Sequence, residues 1–318
     1  MLAIVCPGQG SQTPGFLAPW LELPGVREHL EELSDVAGLD LVAHGTVSDE
    51  ETIKDTAVAQ PLIVAAGLVA GRLLFDAEAL TAATVVAGHS VGEITASALA
   101  GALPEADAMA FVRERANAMA RAAAAVPTGM SAVLGGDPED VARVLAELGL
   151  TAANANGGGQ IVAAGTLEQL GRLAENPPAK ARVIALKVAG AFHTGHMEPA
   201  LSVLEALRPT LSPAEPRPTL LSNYDGTAVV SGEANLDSLI AQVSRPVRWD
   251  LCMETMTGMG VTGILELPPA GTLTGLAKRG MRGVPALALK TPEDLAAARA
   301  FVSEHSGAAA VTTQEGNA

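Results

Sequence analysis

Apolar positions along the chain alternate between short unbroken runs and longer runs at helical spacing, with turn residues between them. Leu2 to Cys6 is an unbroken apolar run and reads as a buried strand, followed by Gly8-Gln9-Gly10-Ser11-Gln12 as an exposed loop. Helical spacing follows over Gly25 to Ala37 and Ala57 to Phe75, then a second buried strand over Ala83 to Ala87. Gly88-His89-Ser90-Val91-Gly92 separates that strand from a helix-like run, Glu93 to Ala100, and Pro104 introduces a long helix from Glu105 to Ala125. Strands alternating with helices predict an α/β fold with a parallel sheet.

From about Thr128 the rhythm changes. Met130 to Leu134 reads as a strand, Pro138 to Leu148 as a helix, Thr151 to Ala155 and Gln160 to Ala164 as strands, Leu167 to Ala174 as a helix and Arg182 to Val188 as a strand. This β-α-β-β-α-β order is the split pattern of a ferredoxin-like unit. It predicts a small subdomain over 128–188 inserted in a larger α/β subdomain made of 1–127 and 189–305. The larger part resumes with helix Glu198 to Leu207, strand Thr219 to Ser222, helix Leu236 to Val243, strand Gly263 to Leu267 and helix Thr272 to Lys278. The tail, 306–318, is small and polar and is expected to be disordered.

Composition narrows the function. The formal net charge of −15 argues against a nucleic-acid partner, whose binding needs a basic surface, and an anionic substrate would need a local cation. The longest apolar candidate span, Leu62 to Gly71, is bounded by Gln60-Pro61 and Arg72 and reads as too short for a membrane helix. Met1 to Cys6 carries no basic segment and does not read as a secretory signal, so the cytoplasm is the expected location. Cys6 and Cys252 stand alone, far apart, and read as small buried hydrophobes.

The chemistry centres on Ser90. A serine between two glycines at a strand-to-helix turn is how a nucleophilic hydroxyl is lifted out of the backbone, and the bare glycines let strand and helix approach closely. Serine needs a base. His29 and His305 fall on amphipathic surface helices and His44 in a polar connection, so all three read as solvated, while His89 reads as packing beneath the turn. The remaining segment, Ala191-Phe192-His193-Thr194-Gly195-His196, follows a strand end, where catalytic residues of α/β folds collect; His193 is the candidate base and His196 its competitor. On the helix from Glu105 to Ala125, steps of 100° place Arg115 within the apolar stripe of Ala108, Phe111, Val112 and Met119. A guanidinium there must be paired, either with a protein carboxylate or with a substrate carboxylate. No Asp or Glu between Ser90 and His193 stands out to orient the histidine, so a backbone carbonyl or an amide could do so.

With these residues the chain resembles the malonyl-CoA:acyl carrier protein transacylases of fatty acid and polyketide synthesis. The resemblance runs from Pro7-Gly8-Gln9-Gly10-Ser11-Gln12 to Leu273-Thr274-Gly275-Leu276. Between them lie, in order, Gly88 to Glu93, Arg115, Asn154 through Gln160 to Gly165, Ala191-Phe192-His193, Ser222-Asn223, Gln242 and Pro246-Val247-Arg248-Trp249. It implies an α/β-hydrolase-like large subdomain with a ferredoxin-like small one. It also implies Ser90 as nucleophile, His193 as base, Arg115 as the malonyl carboxylate site and the backbone N–H groups of Gln9 and Val91 as oxyanion hole. A main-chain carbonyl near Gln242 would orient the histidine. Phe192 and Val91 resemble malonyl-selecting members, leaving little room for an α-methyl branch. The resemblance implies no bound cofactor or metal, malonyl-CoA as donor, and the phosphopantetheine thiol of an acyl carrier protein as acceptor. Lys180, Arg182, Lys187, Lys278, Arg279 and Arg282 are candidate docking residues for that carrier. Pro268-Pro269-Ala270-Gly271 departs from the family's usual Gly-Pro-Gly turn. A serine esterase or thioesterase, with water as acceptor, is the competing enzyme; a catalytically idle carrier-binding subunit is the non-enzymatic alternative.

Overall fold

Leu2–Cys6 is buried at every position and forms the centre of a five-stranded parallel sheet in the computed structural model, which describes residues 1–75, 80 and 84–306. Its neighbours are Thr84–Gly88 and Gly263–Glu266, with Thr219–Leu220 and Ala286–Ala288 at the edges. A strand covered on both faces must be apolar throughout, which is why the first run shows no alternation. The register pairs Cys6 with Gly88, so the loop after the first strand and the serine turn leave the same end of the sheet side by side. From residue 307 on, the predicted disordered tail lies outside the described residues, as does Ala83.

A second sheet is mixed. Its order is Ala181–Ala185, Thr128–Gly135, Gln160–Thr166, Thr151–Gly157 and Val247–Arg248, the first four antiparallel to one another and the last parallel to its neighbour. Helices Pro138–Glu147 and Leu167–Glu175 connect the antiparallel strands, and a capping box of Thr166 with Gln169 starts the latter. The fifth strand comes from outside 128–188; two residues are too few to show a period, and the sequence reading has no element there.

The helix predicted over Ala57 to Phe75 runs from Thr56 to Leu74, started by the Asp55 side chain, which accepts from the Ala57 N–H. This corrects the estimate of its apolar span. Pro61 sits inside the helix, and the whole is long and apolar enough to cross a membrane by length and composition, with mean hydropathy 1.7 over its most apolar window. Yet 72% of that window is buried within the protein, packed on helices Gly92–Leu99 and Glu105–Ala125. It is the central core helix, which must be apolar all round.

Two histidines read as solvated are buried instead. His29 lies on Val26–Ala37 where that helix packs against Glu105–Ala125, and its Nε2 is 3.0 Å from Glu105 Oε2. His305 packs its ring on Phe301 and hydrogen-bonds through Nδ1 with Thr262 Oγ1 at 3.1 Å. Each has a polar partner brought by another element, which a single helix's periodicity does not reveal. His44 is half-buried in the short helix Leu41–Thr46, its Nδ1 3.0 Å from Ser48 Oγ. Cys6 and Cys252 are buried free thiols, and burial pushes both thiols up. Arg182 to Val188 is extended only over Ala181–Ala185, after which Leu186 and Val188 turn to line a cavity.

Candidate active site

Ser90 sits in the left-handed region, at φ 54°, between Thr84–Gly88 and helix Gly92–Leu99. A non-glycine residue there carries strain of about 1–3 kcal/mol, which the surroundings must hold in place. The flanking glycines act through contact. A Cβ on Gly88 would lie 2.0 Å from the Gly92 carbonyl carbon, and one on Gly92 would lie 2.1 Å from the Cys6 carbonyl oxygen. The turn is pinned from outside by Asn223, whose Oδ1 accepts from the Ser90 N–H at 2.7 Å and whose Nδ2 donates to the Gly88 carbonyl at 2.6 Å.

Ser90 Oγ is 2.7 Å from His193 Nε2. His193 Nδ1 is 2.9 Å from the Gln242 carbonyl oxygen. A carbonyl can only accept, so Nδ1 carries the proton and Nε2 presents its lone pair to the serine hydroxyl. The His193 ring is buried and its pKa is lowered to about 3, first by burial and then by the positive charge of Arg115. The imidazole is therefore neutral and able to accept a proton. His196, the competitor, lies half-buried in the short Gly195–Met197 turn and does not line the cavity at Ser90.

Arg115 is 1% exposed, as the helical wheel places it, and its Nη2 is 3.5 Å from Ser90 Oγ. Two amide oxygens hold it: Nη1 donates to Gln60 Oε1 and Nη2 to Gln242 Oε1, both at 2.7 Å. Among the described residues it forms no salt bridge, and its buried Nε has no partner. Burial lowers its pKa to about 10, with Glu93 acting the other way, so the cation persists at neutral pH.

Sequence reasoning missed most of the polar network behind this trio. The Gln242 side chain, beyond its carbonyl on His193, accepts from Arg115 and donates to Glu93 Oε2 and, at 3.1 Å, to the Ser90 carbonyl. Glu93 is 1% exposed; its Oε1 accepts from the Asn223 N–H at 3.1 Å, and burial pushes its carboxyl up to about 7. These partners stand more than 125 residues apart in sequence. The one available signal is that polar side chains on helices that read as core must find partners.

In front of Ser90 a cavity of about 210 Å³ lies between the two sheets. The parallel-sheet region contributes Gln9, Gln60, Ser90, Val91, Phe192, His193 and Leu276, and the second sheet Met130, Asn154, Asn156 and Val162. The backbone N–H groups of Gln9 and Val91, both on the wall, are engaged by no other described residue. His89 also lines the cavity, its Nε2 2.8 Å from Asn156 Oδ1 and its ring edge-on to Trp249. All six candidate docking residues are exposed; Arg279 donates at 3.0 Å to Gln160, a wall residue, and Lys187 lies between Leu186 and Val188, which also line the cavity.

The family model for the acyl transferase domain matches residues 3–302. The chain belongs to this acyl transferase family. Among its relatives, the malonyl CoA-acyl carrier protein transacylase of Mycobacterium tuberculosis is 55% identical over 296 residues, covering 93% of this chain and 98% of that protein. The Escherichia coli K12 transacylase of the same name is 33% identical over 304 residues, covering 93% and 98%. The crystal structure of MCAT from Mycobacterium tuberculosis superposes with a TM-score of 0.91 at 53% identity, covering 94% of this chain and 99% of that one. A malonyl-transacylase in complex with its type II PKS acyl-carrier protein superposes with a TM-score of 0.86 at 32% identity, covering 94% and 99%. The acyl transferase family thus spans both parts of the molecule, the parallel sheet and the mixed one.

Proposed function

We propose that this acyltransferase moves the malonyl group from malonyl-CoA to the phosphopantetheine thiol of an acyl carrier protein, through an ester on Ser90. The observation that carries the reading is the Arg115 guanidinium, buried without a carboxylate partner among the described residues and 3.5 Å from a serine hydroxyl that already contacts a neutral histidine. In a malonyl thioester the acid lies one methylene from the carbonyl under attack. That short reach suits a cation beside the nucleophile, whereas a longer diacid would overshoot it. The buried charge awaits an anion, and two parallel hydrogen bonds to a carboxylate satisfy it.

In the first step Ser90 Oγ attacks the thioester carbonyl as its proton passes to His193 Nε2. The oxyanion forms against the Gln9 and Val91 N–H groups, which no other described residue engages. The C–S bond then breaks, the proton leaves His193 for the thiolate, and CoA departs. In the second step the carrier thiol gives its proton to His193, its sulfur attacks the ester, and Ser90 Oγ leaves as an alcohol. The Gln242 carbonyl holds His193 in the required tautomer, in place of an acid. No step draws on a metal or a bound cofactor.

The same reading takes the parallel-sheet region as α/β-hydrolase-like and 128–188 as ferredoxin-like, in keeping with the strand order fourth, first, third, second of those four strands. Docking of the carrier at the exposed residues Lys180, Arg182, Lys187, Lys278, Arg279 and Arg282 belongs to it too, as does work in the cytoplasm. Intact-mass spectrometry after incubation with malonyl-CoA tests the proposal. A malonyl adduct on Ser90 that persists in water and moves to an added holo carrier protein is expected. Rapid hydrolysis of the adduct without transfer would mean an esterase or thioesterase.

A further inference from the structure

Arg115 can only donate hydrogen bonds, so whichever group sits against it must present an oxygen. Its two supports differ in how firmly their oxygens are held. Among the described residues Gln60 Nε2 has only the Met119 thioether, at 3.7 Å, on its far side. Gln242 Nε2 donates to a carboxylate, Glu93 Oε2, and to the Ser90 carbonyl at 3.1 Å, so its Oε1 is turned to Arg115. We propose that Glu93 is a positioning residue for substrate choice: its carboxylate fixes the Gln242 amide, and through it aims Arg115 at the malonyl carboxylate. This rests on the reading of Arg115 given above.

Geometry separates this role from a merely structural one. Glu93 has two oxygens with two different duties. Oε2 serves Gln242 and hence the cation, while Oε1 accepts from the Asn223 N–H, whose side chain pins the serine turn. With an N–H facing each of its oxygens the ionised form of Glu93 is the one that fits, and above its raised pKa of about 7 it accepts on both sides; an amide of the same shape cannot. In Glu93→Gln a new N–H must face either the Gln242 amide nitrogen or the Asn223 N–H, donor against donor. If Gln242 yields, it turns its own nitrogen toward Arg115 and the cation loses its aim. If Asn223 yields, the serine turn suffers for every acyl group alike.

The test compares reactions with and without a substrate carboxylate. Loading of Ser90 by malonyl-CoA is followed by intact mass in wild type and Glu93→Gln, beside sulfonylation of Ser90 by phenylmethanesulfonyl fluoride, an uncharged serine reagent. The expected result is a fall of about 10- to 100-fold in malonyl kcat/KM, carried mainly by KM, the loss that follows when a hydrogen bond to a charged group is displaced. Sulfonylation should stay within about twofold, since it calls on no cation. Equal losses in both reactions, or no loss in either, overturn the proposal. Should Glu93→Gln fail to fold, Glu93→Asp is measured in the same way, and an unchanged ratio of the two rates overturns it. Arg115→Ala is run alongside. If that variant also keeps wild-type malonyl loading, the carboxylate reading of Arg115 is what has failed; if Arg115→Ala loses it and Glu93→Gln does not, only the role of Glu93 has.

Discussion

The parallel-sheet region and the mixed sheet face each other across one cavity, but they are built to different tolerances. On the parallel side the backbone itself is the device. Ser90 is strained at φ 54°, His193 at φ 61°, and Gly88 and Gly92 touch neighbouring backbone with no room for a methyl group. The mixed sheet offers a wall of side chains: Met130 and Val162 on a continuous antiparallel ladder, Asn154 and Asn156 on a strand whose pairing shifts register beside them. Fractions of an ångström at the nucleophile decide whether bonds can form, whereas a wall only has to exclude or admit bulk. The contrast teaches that substitutions on the parallel side should act on chemistry and folding together, and those on the wall on selectivity.

The sharpest way to break that contrast is with the same substitution on each side. Gly92→Ala brings a Cβ 2.1 Å from the Cys6 carbonyl oxygen. Backbone cannot yield as a side chain can, so we expect a stability loss of about 3 kcal/mol or more, a Tm lower by on the order of 5–10 °C, and loss of Ser90 loading. Gly171, on helix Leu167–Glu175 beside the mixed sheet, has nothing within 4 Å of the corresponding position. Gly171→Ala should raise stability by up to about 1 kcal/mol, since alanine is the better helix former, with loading unchanged. Calorimetry and intact mass read both; similar behaviour of the two variants would dissolve the distinction.

The reach of sequence reasoning follows the same line. The helix Glu105–Ala125 was legible to the residue because Pro104 marks its start, and the 100° step that turned Arg115 inward is a property of that one element. The serine turn was legible because strand, glycines and helix are contiguous in sequence. Gln242, Glu93 and Asn223 were not legible as a network, because each is satisfied by residues that only the assembled sheet brings near. His29 was misread for that reason, its partner Glu105 being on another helix. The fifth strand of the mixed sheet, Val247–Arg248, is defined by its neighbour and has no pattern of its own.

Arg115→Ala sharpens the comparison from the electrostatic side. Removing the cation should cost malonyl kcat/KM about 3–4 kcal/mol, on the order of 100- to 1,000-fold. It should also move a pKa. Burial and the Arg115 charge hold His193 near 3, so the acid limb of Ser90 sulfonylation in the wild type should lie well below the ordinary histidine value of about 6.5. Without the guanidinium the imidazolium is less disfavoured, and the limb should shift to higher pH. Stability follows the same proton count. Between about 3 and 6.5 the unfolded state binds a proton at this residue that the folded state refuses, so the contribution of His193 to stability declines as pH falls through that window. A limb that stays in place in Arg115→Ala would mean that burial alone sets the base.

Among the variants expected to change loading, the smallest effect belongs to Phe192, 7% exposed and on the cavity wall next to the base. Its backbone belongs to the exacting region, since it directly precedes the strained His193, but its side chain does the work of a wall. A methyl branch on the acyl group competes with the phenyl ring for the same space, and one methylene in such a pocket is worth about 1–3 kcal/mol. Phe192→Ala should therefore raise the ratio of methylmalonyl to malonyl loading by on the order of 10-fold, with malonyl loading itself falling by less than that. Competition between the two CoA esters, read as two adduct masses on Ser90, measures this without knowledge of protein concentration. If instead both esters load poorly and the acid limb of sulfonylation moves, the ring is holding His193 in its conformation, and Phe192 belongs with the exacting side of the cavity.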